Sequence, residues 1–265
     1  MKNYIIKTTG YLIIGTLSLI PFSSNAAIIA TENFDYPDST SLATVGSGGT
    51  GWSGNWTTDG TSFNVVDGAA YTGDLDAFRN SRTLSTSQST GTLYFAWTGV
   101  KQRTQDINET QVLALSGMDG GTEEFSLQFR TDGSDVDNEY FLLYGGSDSS
   151  TGSDSGGLYT EGSQYTLVLE LNFNTGGEET ISAWAFSGGL PTTLGSALLT
   201  TSAPVNSIDS ILLQSNGKRM TGSLDNIVIA TEYSDIVSAI PEPSTYATLF
   251  GICAMTFAMI RRRHA

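Results

Sequence analysis

Four carboxylates crowd one short stretch, DGSDVDNE, where Asp132, Asp135, Asp137 and Glu139 fall within eight residues. Hard cations such as Ca2+ are held by several carboxylate and carbonyl oxygens, so this run is a candidate site for a structural Ca2+. It lacks the spacing of an EF-hand loop. A second candidate set is divided between the two ends of the central region, with Glu32 and Asp35 early and Asp225 late. Both sets also fit solvated turns on an acidic protein. Aromatic chemistry offers a third candidate. Trp52 and Trp56 lie four apart in a Gly-rich stretch, and rigid rings can stack on a saccharide at little entropic cost. The same two rings also suit a plug at one end of the fold.

Composition removes other chemistries. The sole cysteine is Cys253 and the sole histidine is His264, both near the C-terminus. The region from Ala27 to Ile240 therefore has no Ser-His-Asp or Cys-His machinery, no His or Cys zinc site and no disulfide. Glycoside hydrolysis by paired carboxylates requires two acids about 5–9.5 Å apart across the scissile bond. Glu170 is isolated on its stretch, and the adjacent acids of TEEF and GEET sit at turn positions. The expectation is a domain that is not an enzyme. The whole chain carries 27 Asp and Glu against 12 Lys and Arg. Setting aside Lys2, Lys7, Arg261, Arg262, Arg263 and Glu242 in the ends leaves a centre with 26 acids and 7 bases. Such a surface repels phosphate backbones, so nucleic acid is not an expected partner.

The elements that must position these residues read as strands. In YTLVLELNF, Tyr165, Leu167, Leu169, Leu171 and Phe173 share one face, while Thr166, Val168, Glu170 and Asn172 share the other. TLYFAWTG places Leu93, Phe95 and Trp97 together, and EFSLQFR sets Phe125, Leu127 and Phe129 against Ser126, Gln128 and Arg130. A period of two marks a strand with one buried face. VDGAAYTGD, SGMDGGTEE and FNTGGEE supply Asp-Gly and Gly-Gly turns. No sustained 3.6-residue period and no fixed repeat occurs between the ends. The expected fold is all-β, an antiparallel two-sheet β-sandwich.

The ends are of another kind. Residues 1–26 run from Lys2 and Lys7 through an apolar stretch to Ser24 and Ala26, the order of a secretory signal peptide. At the other end, Pro241, Glu242 and Pro243 precede sixteen apolar-biased residues, Thr245 to Ile260, and then Arg261, Arg262 and Arg263. As a helix that run is about 24 Å long, and arginines that snorkel extend its reach towards the ~30 Å hydrocarbon core. Basic residues after the span favour a cytoplasmic C-terminus with the body outside.

Two resemblances follow from these residues. ENFDYPDSTSLATVGSGGTGWSGNW and GSLDNIVIATEYSDI resemble the opening and closing strands of concanavalin A-like (laminin-G-like) jelly-roll domains of secreted bacterial proteins. That resemblance implies first and last strands lying close together, where such domains often hold a structural calcium. The tail resembles the PEP-CTERM sorting signal. It implies transient insertion in the inner membrane of a Gram-negative bacterium, cleavage by an exosortase-type processing enzyme, and release to the cell surface or extracellular matrix, often in company with exopolysaccharide. The expected organisation is a signal peptide over 1–26, a jelly-roll domain over 27–236 and a sorting signal over 237–265. The expected function is that of a non-catalytic, exported surface or matrix protein with a structural or adhesive role. A carbohydrate-binding module for exopolysaccharide is the alternative, and a carboxylate-dependent glycan-active enzyme the third reading.

Overall fold

The structure is a computed structural model, and it describes residues 27–73, 77–104, 110–131, 139–146, 153–155, 159–174, 176–216 and 220–240. The signal-peptide region, the Pro241–Glu242–Pro243 motif, the expected span and Arg261–Arg263 lie outside the described residues, as do Asp132, Asp135 and Asp137. Among the described residues no helix is long and apolar enough to cross a membrane.

The chain forms two antiparallel sheets. One contains β1 (Ile28–Glu32), β3 (Asn64–Val66), β4 (Ala69–Thr72), β6 (Thr92–Arg103), β11 (Gln164–Asn172), β12 (Glu179–Phe186), β13 (Leu199–Ala203) and β15 (Met220–Ala230). Its order is β13-β12-β11-β6-β15-β4-β3, with β1 also paired to β15. The other sheet has the order β10-β9-β8-β7-β14-β5-β2. Its strands are β2 (Thr57–Thr58), β5 (Phe78–Gln88), β7 (Gln111–Asp119), β8 (Thr122–Thr131), β9 (Glu139–Gly145), β10 (Ser153–Asp154) and β14 (Ile208–Asn216). The first and last strands are direct neighbours, with Glu32 opposite Ile227 and Thr31 opposite Val228.

The alternating residues build the core as their period dictates. Leu93, Phe95 and Trp97 of β6 meet Phe125, Leu127 and Phe129 of β8, together with Leu167, Leu169 and Leu171 of β11, in one buried cluster. Phe95 and Phe125 contact edge to face across the sheets, with ring centroids 5.1 Å apart. Gly99 continues the inward face of β6, because a Cβ there would lie 2.7 Å from the Phe129 ring. The β3–β4 hairpin uses Asp67 and Gly68, both at positive φ (50° and 74°), the geometry of a two-residue turn matched to strand twist.

A second apolar layer lies on the outside of the eight-stranded sheet. A short helix, α1 (Tyr233–Ala239), lays Ile236 against Ala96, Val168, Val228 and Trp184. Ile240, just beyond it, is packed in the same cluster, so the packing of the body continues past residue 236 to Ile240. Seven residues are too few to display a helical period in sequence, which is why this element is absent from the strand-based expectation. It also explains Val168, the apolar residue on the otherwise polar side of β11: this side faces the helix layer.

Candidate functional site

The two tryptophans of the Gly-rich stretch surround a cation. Arg82 points inward from β5, and its guanidinium carbon lies 5.1 Å from the Trp52 ring centroid and 5.6 Å from that of Trp56. Its Nη1 donates to Glu32 Oε2 in an ion pair with neither side chain exposed. Its Nη2 donates to Gly48 O at 2.8 Å and its Nε to Gly54 O at 3.0 Å. Glu32 also accepts from the Phe34 amide (2.9 Å), the Tyr36 hydroxyl (2.9 Å) and Trp56 Nε1 (3.3 Å). Trp52 Nε1 donates to Thr31 O at 2.8 Å. Trp56 is 2% exposed, so its ring offers no platform to a sugar. The Gly-rich stretch is irregular because close approach requires it: at Gly51, φ is 82° and a Cβ would stand 1.8 Å from Ile29 O.

Two acids of the expected calcium site have other partners here. Glu32 is spent on Arg82 and three further donors. Asp35 is exposed, and both carboxylate oxygens of Asp225 accept from Asn226, the backbone amide at 2.6 Å and Nδ2 at 2.7 Å. Among the described residues no three His, Cys, Asp or Glu side chains gather as a metal-binding set. From the other set, Glu139 is described, and it pairs with Arg103 Nη2 at 3.0 Å. Glu161 shares that guanidinium, 3.4 Å from its Nε. Burial, then the hydrogen bond and charge of Glu161, push the Glu139 carboxyl up to about 7. Behind this pair Lys101 is buried, with Nζ 2.6 Å from Thr131 Oγ1 and 3.0 Å from the Tyr159 hydroxyl. Desolvation pulls Lys101 down to about 8.

A different group of polar side chains lines the outer face of the seven-stranded sheet. Register places Tyr144, Ser126, Ser116 and Leu212 in one row across β9, β8, β7 and β14. The next row holds Leu142, Gln128, Ala114 and Gln214. Glu123 joins them through a bulge. The β7–β8 register shifts between Gly117 and Met118, which re-aims Glu123 to the side of Ser126. Glu123 Oε1 there accepts from Ser116 Oγ (3.0 Å), the Tyr144 hydroxyl (2.5 Å) and Gln214 Nε2 (3.3 Å). Ser116 Oγ also lies 2.9 Å from Ser126 Oγ, which accepts from Gln128 Nε2 (3.2 Å). Burial, followed by the Glu123 hydrogen bond, pushes the Tyr144 phenol well above its ordinary value.

Gln128 Oε1 is buried and has no hydrogen-bond partner, while its own amide is fixed by Ser126. An unpaired buried acceptor costs about 1–3 kcal/mol, a cost that a donor placed beside it would remove. Amide, hydroxyl and carboxylate groups on adjacent strands thus form one internally bonded cluster, with Ser116 and Ser126 fully buried. The alternation of EFSLQFR places Ser126 and Gln128 outward, but nothing in the order of residues marks Glu123. In TEEF it looks like a turn acid, and the bulge moves it onto the face.

Compared with known proteins, the chain matches no family model and no curated protein. Among solved structures it is similar to the CBM2 module of the evolved Dit protein of Lactobacillus casei BL23 phage J-1, with 15% identity and a TM-score of 0.45 over 77% of this chain and 95% of that one. It is similar also to the alginate lyase Aly36B in complex with alginate trisaccharide (14% identity, TM-score 0.46, 77% of this chain and 98% of that one). A structure from work on endo-acting O-glycanases of the human gut microbiota gives 11% identity and a TM-score of 0.48, over 77% of this chain and 99% of that one.

Proposed function

We propose that this chain is an exported, non-catalytic surface or matrix protein that binds polysaccharide with the outer face of its seven-stranded sheet. The observation that carries this reading is Gln128, whose buried Oε1 has no partner within a hydrogen-bonded group of Ser116, Glu123, Ser126, Tyr144 and Gln214. Gln128 is 4% exposed, so a sugar hydroxyl reaches Oε1 only once the neighbouring side chains shift, and the hydrogen bond it then donates would satisfy that oxygen. That favours the carbohydrate-binding alternative over a purely structural role. The non-catalytic part rests on chemistry: the hydrogen-bonded group contains one carboxylate, whereas acid–base hydrolysis of a glycoside uses two. The names of the similar structures, a CBM2 module among them, are consistent with a glycan ligand but carry no weight at these TM-scores.

Export and sorting rest on the order of residues at the two ends. Lys2, Lys7 and the small residues Ser24 and Ala26 support a signal peptide, and Pro241, Glu242, Pro243, the apolar run and Arg261–Arg263 support a PEP-CTERM-type tail. In this reading an exosortase-type enzyme and the inner membrane are transient partners, and exopolysaccharide is the lasting one. The test is affinity electrophoresis of the purified protein in gels containing neutral or uronate-rich polysaccharides. Retardation in at least one gel, lost in Gln128→Leu, is expected. Migration unchanged by every polysaccharide would overturn the binding role and leave the structural one.

A further inference from the structure

The outer face of the eight-stranded sheet holds a cleft that the proposed glycan face does not touch. Its floor is a cross-strand row: Tyr71 of β4 pairs with Ser223 of β15, Ser223 with Val100 of β6, and Val100 with Gln164 of β11. The next row begins with Asp225 beside Thr98. Beyond Thr98 this face becomes apolar and is covered by α1. The β3–β4 turn at Asp67 forms the rim, and the cleft encloses about 320 Å3. That is the lower end of the range for small-molecule sites and matches a single sugar-sized residue.

Asp225 reaches this cleft because β15 changes neighbours there. Gly222 to Leu224 pair with β4, and Ile227 to Ala230 pair with β1. Asp225 and Asn226 fall in the gap between the two partners, and Asn226 takes a left-handed conformation (φ 51°) at a register shift. Asn is one of the few residues besides glycine that takes this conformation readily, which lets the strand turn here from one partner to the other. Burial pushes the Asp225 carboxyl up to about 6, with the charge of Glu32 as a smaller contribution. The carboxylate therefore weakens the fold at neutral pH, and a neutral side chain would serve folding better. Among the described residues, no Lys, Arg or His lines the cleft, whereas Asp67 and Asp225 do, alongside the hydroxyls of Tyr71, Thr98 and Ser223 and the Gln164 amide.

We infer that this cleft is a second binding site, for a sugar residue bearing a free primary ammonium, the chemistry of a non-acetylated amino sugar. The ammonium lies against Asp225, within reach of Asp67, and the ring hydroxyls meet Ser223, Thr98 and Gln164. A uronate or phosphate is repelled. The site lies on the sheet opposite Gln128, so it stands or falls apart from the proposed polysaccharide face.

The test titrates the purified full-length protein at pH 7 with glucosamine, glucose, N-acetylglucosamine and Nα-acetyl-lysine methylamide, followed by calorimetry or NMR shifts. Glucosamine should bind at least tenfold more tightly than the other three. Asp225→Asn should reduce glucosamine binding at least tenfold while keeping or raising the melting temperature, which separates loss of the ligand from loss of the fold. Ser223→Lys, which places the protein's own ammonium in the cleft, should likewise block it. The inference is overturned if glucosamine is silent at about 20 mM, the range of very weak binding. It is overturned equally if glucose or N-acetylglucosamine binds as well as glucosamine, if the lysine derivative matches it, or if Asp225→Asn binds it unchanged.

Discussion

Glu32 and Arg82, fifty residues apart, meet in an ion pair with neither side chain exposed, and the guanidinium is flanked by the rings of Trp52 and Trp56. One residue sits on the first strand of one sheet and the other on the inward face of the opposite sheet, so this contact joins the two layers at their edge. Removing one partner strands the other charge in a dry site, at a cost of about 3–5 kcal/mol. Arg82→Met should therefore lower unfolding free energy by that amount in urea titration. The double variant Glu32→Gln/Arg82→Met should recover part of the loss. A single variant as stable as wild type would show that the pair contributes nothing.

Trp56→Ala should cost about 3–5 kcal/mol, as expected for removing a large buried ring. Retardation in polysaccharide gels should be unchanged under conditions where the variant remains folded. Loss of retardation in a folded Trp56→Ala protein would return the binding surface to the Gly-rich stretch.

Asp225 makes the stability depend on pH with a definite sign. Its folded carboxyl titrates near 6, above the unfolded value of 3.8. Between those values the folded chain binds more protons than the unfolded one, so the group's contribution becomes less favourable as pH rises through that window. Asp225→Asn should be more stable than wild type at pH 7.5, by about 1 kcal/mol once partial exposure is allowed for. The difference should disappear by about pH 4. Melting curves across that range check both the sign and the window.

The helix layer carries the packing of the body as far as Ile240. Ile236→Ala should cost about 2–5 kcal/mol, because Ile236 is fully buried against the outer face of the sheet. A chain ending at Ile240 should melt as the longer protein does, whereas one ending at Glu232 should be much less stable. Under the proposed export and processing, mass spectrometry of the extracellular protein should place its C-terminus between Pro241 and Ser244. Intact Arg263 in the extracellular fraction would refute processing.

What the order of residues reveals depends on whether it is periodic. Leu93, Phe95 and Trp97, or Leu167, Leu169 and Leu171, declare a two-layer β fold because strands bury every second side chain. The Asp67–Gly68 turn was legible because few residues tolerate positive φ. Arg82 was not, since a lone arginine in NSRTLS gives no sign that its partner lies fifty positions away. Glu123 was hidden by a bulge, a local break in the alternation on which the reading depends. Trp52 and Trp56 stand out in the Gly-rich stretch, but sequence does not say whether an aromatic pair meets a ligand or a guanidinium of its own chain.

The pairing of β1 with β15 has a consequence in time. β15 is not an edge but an interior strand of its sheet, with β6 on one side and β4 and β1 on the other. It is also the last strand among the described residues. Until residue 230 has emerged, the β13-β12-β11-β6 unit, the β3–β4 hairpin and β1 are three separate pieces with open edges and the sandwich cannot close. Pairings between distant segments form slowly, and half-built sheets are prone to aggregate. In a chain of this topology the eight-stranded sheet is completed only when β15 becomes available, whatever has already formed before it.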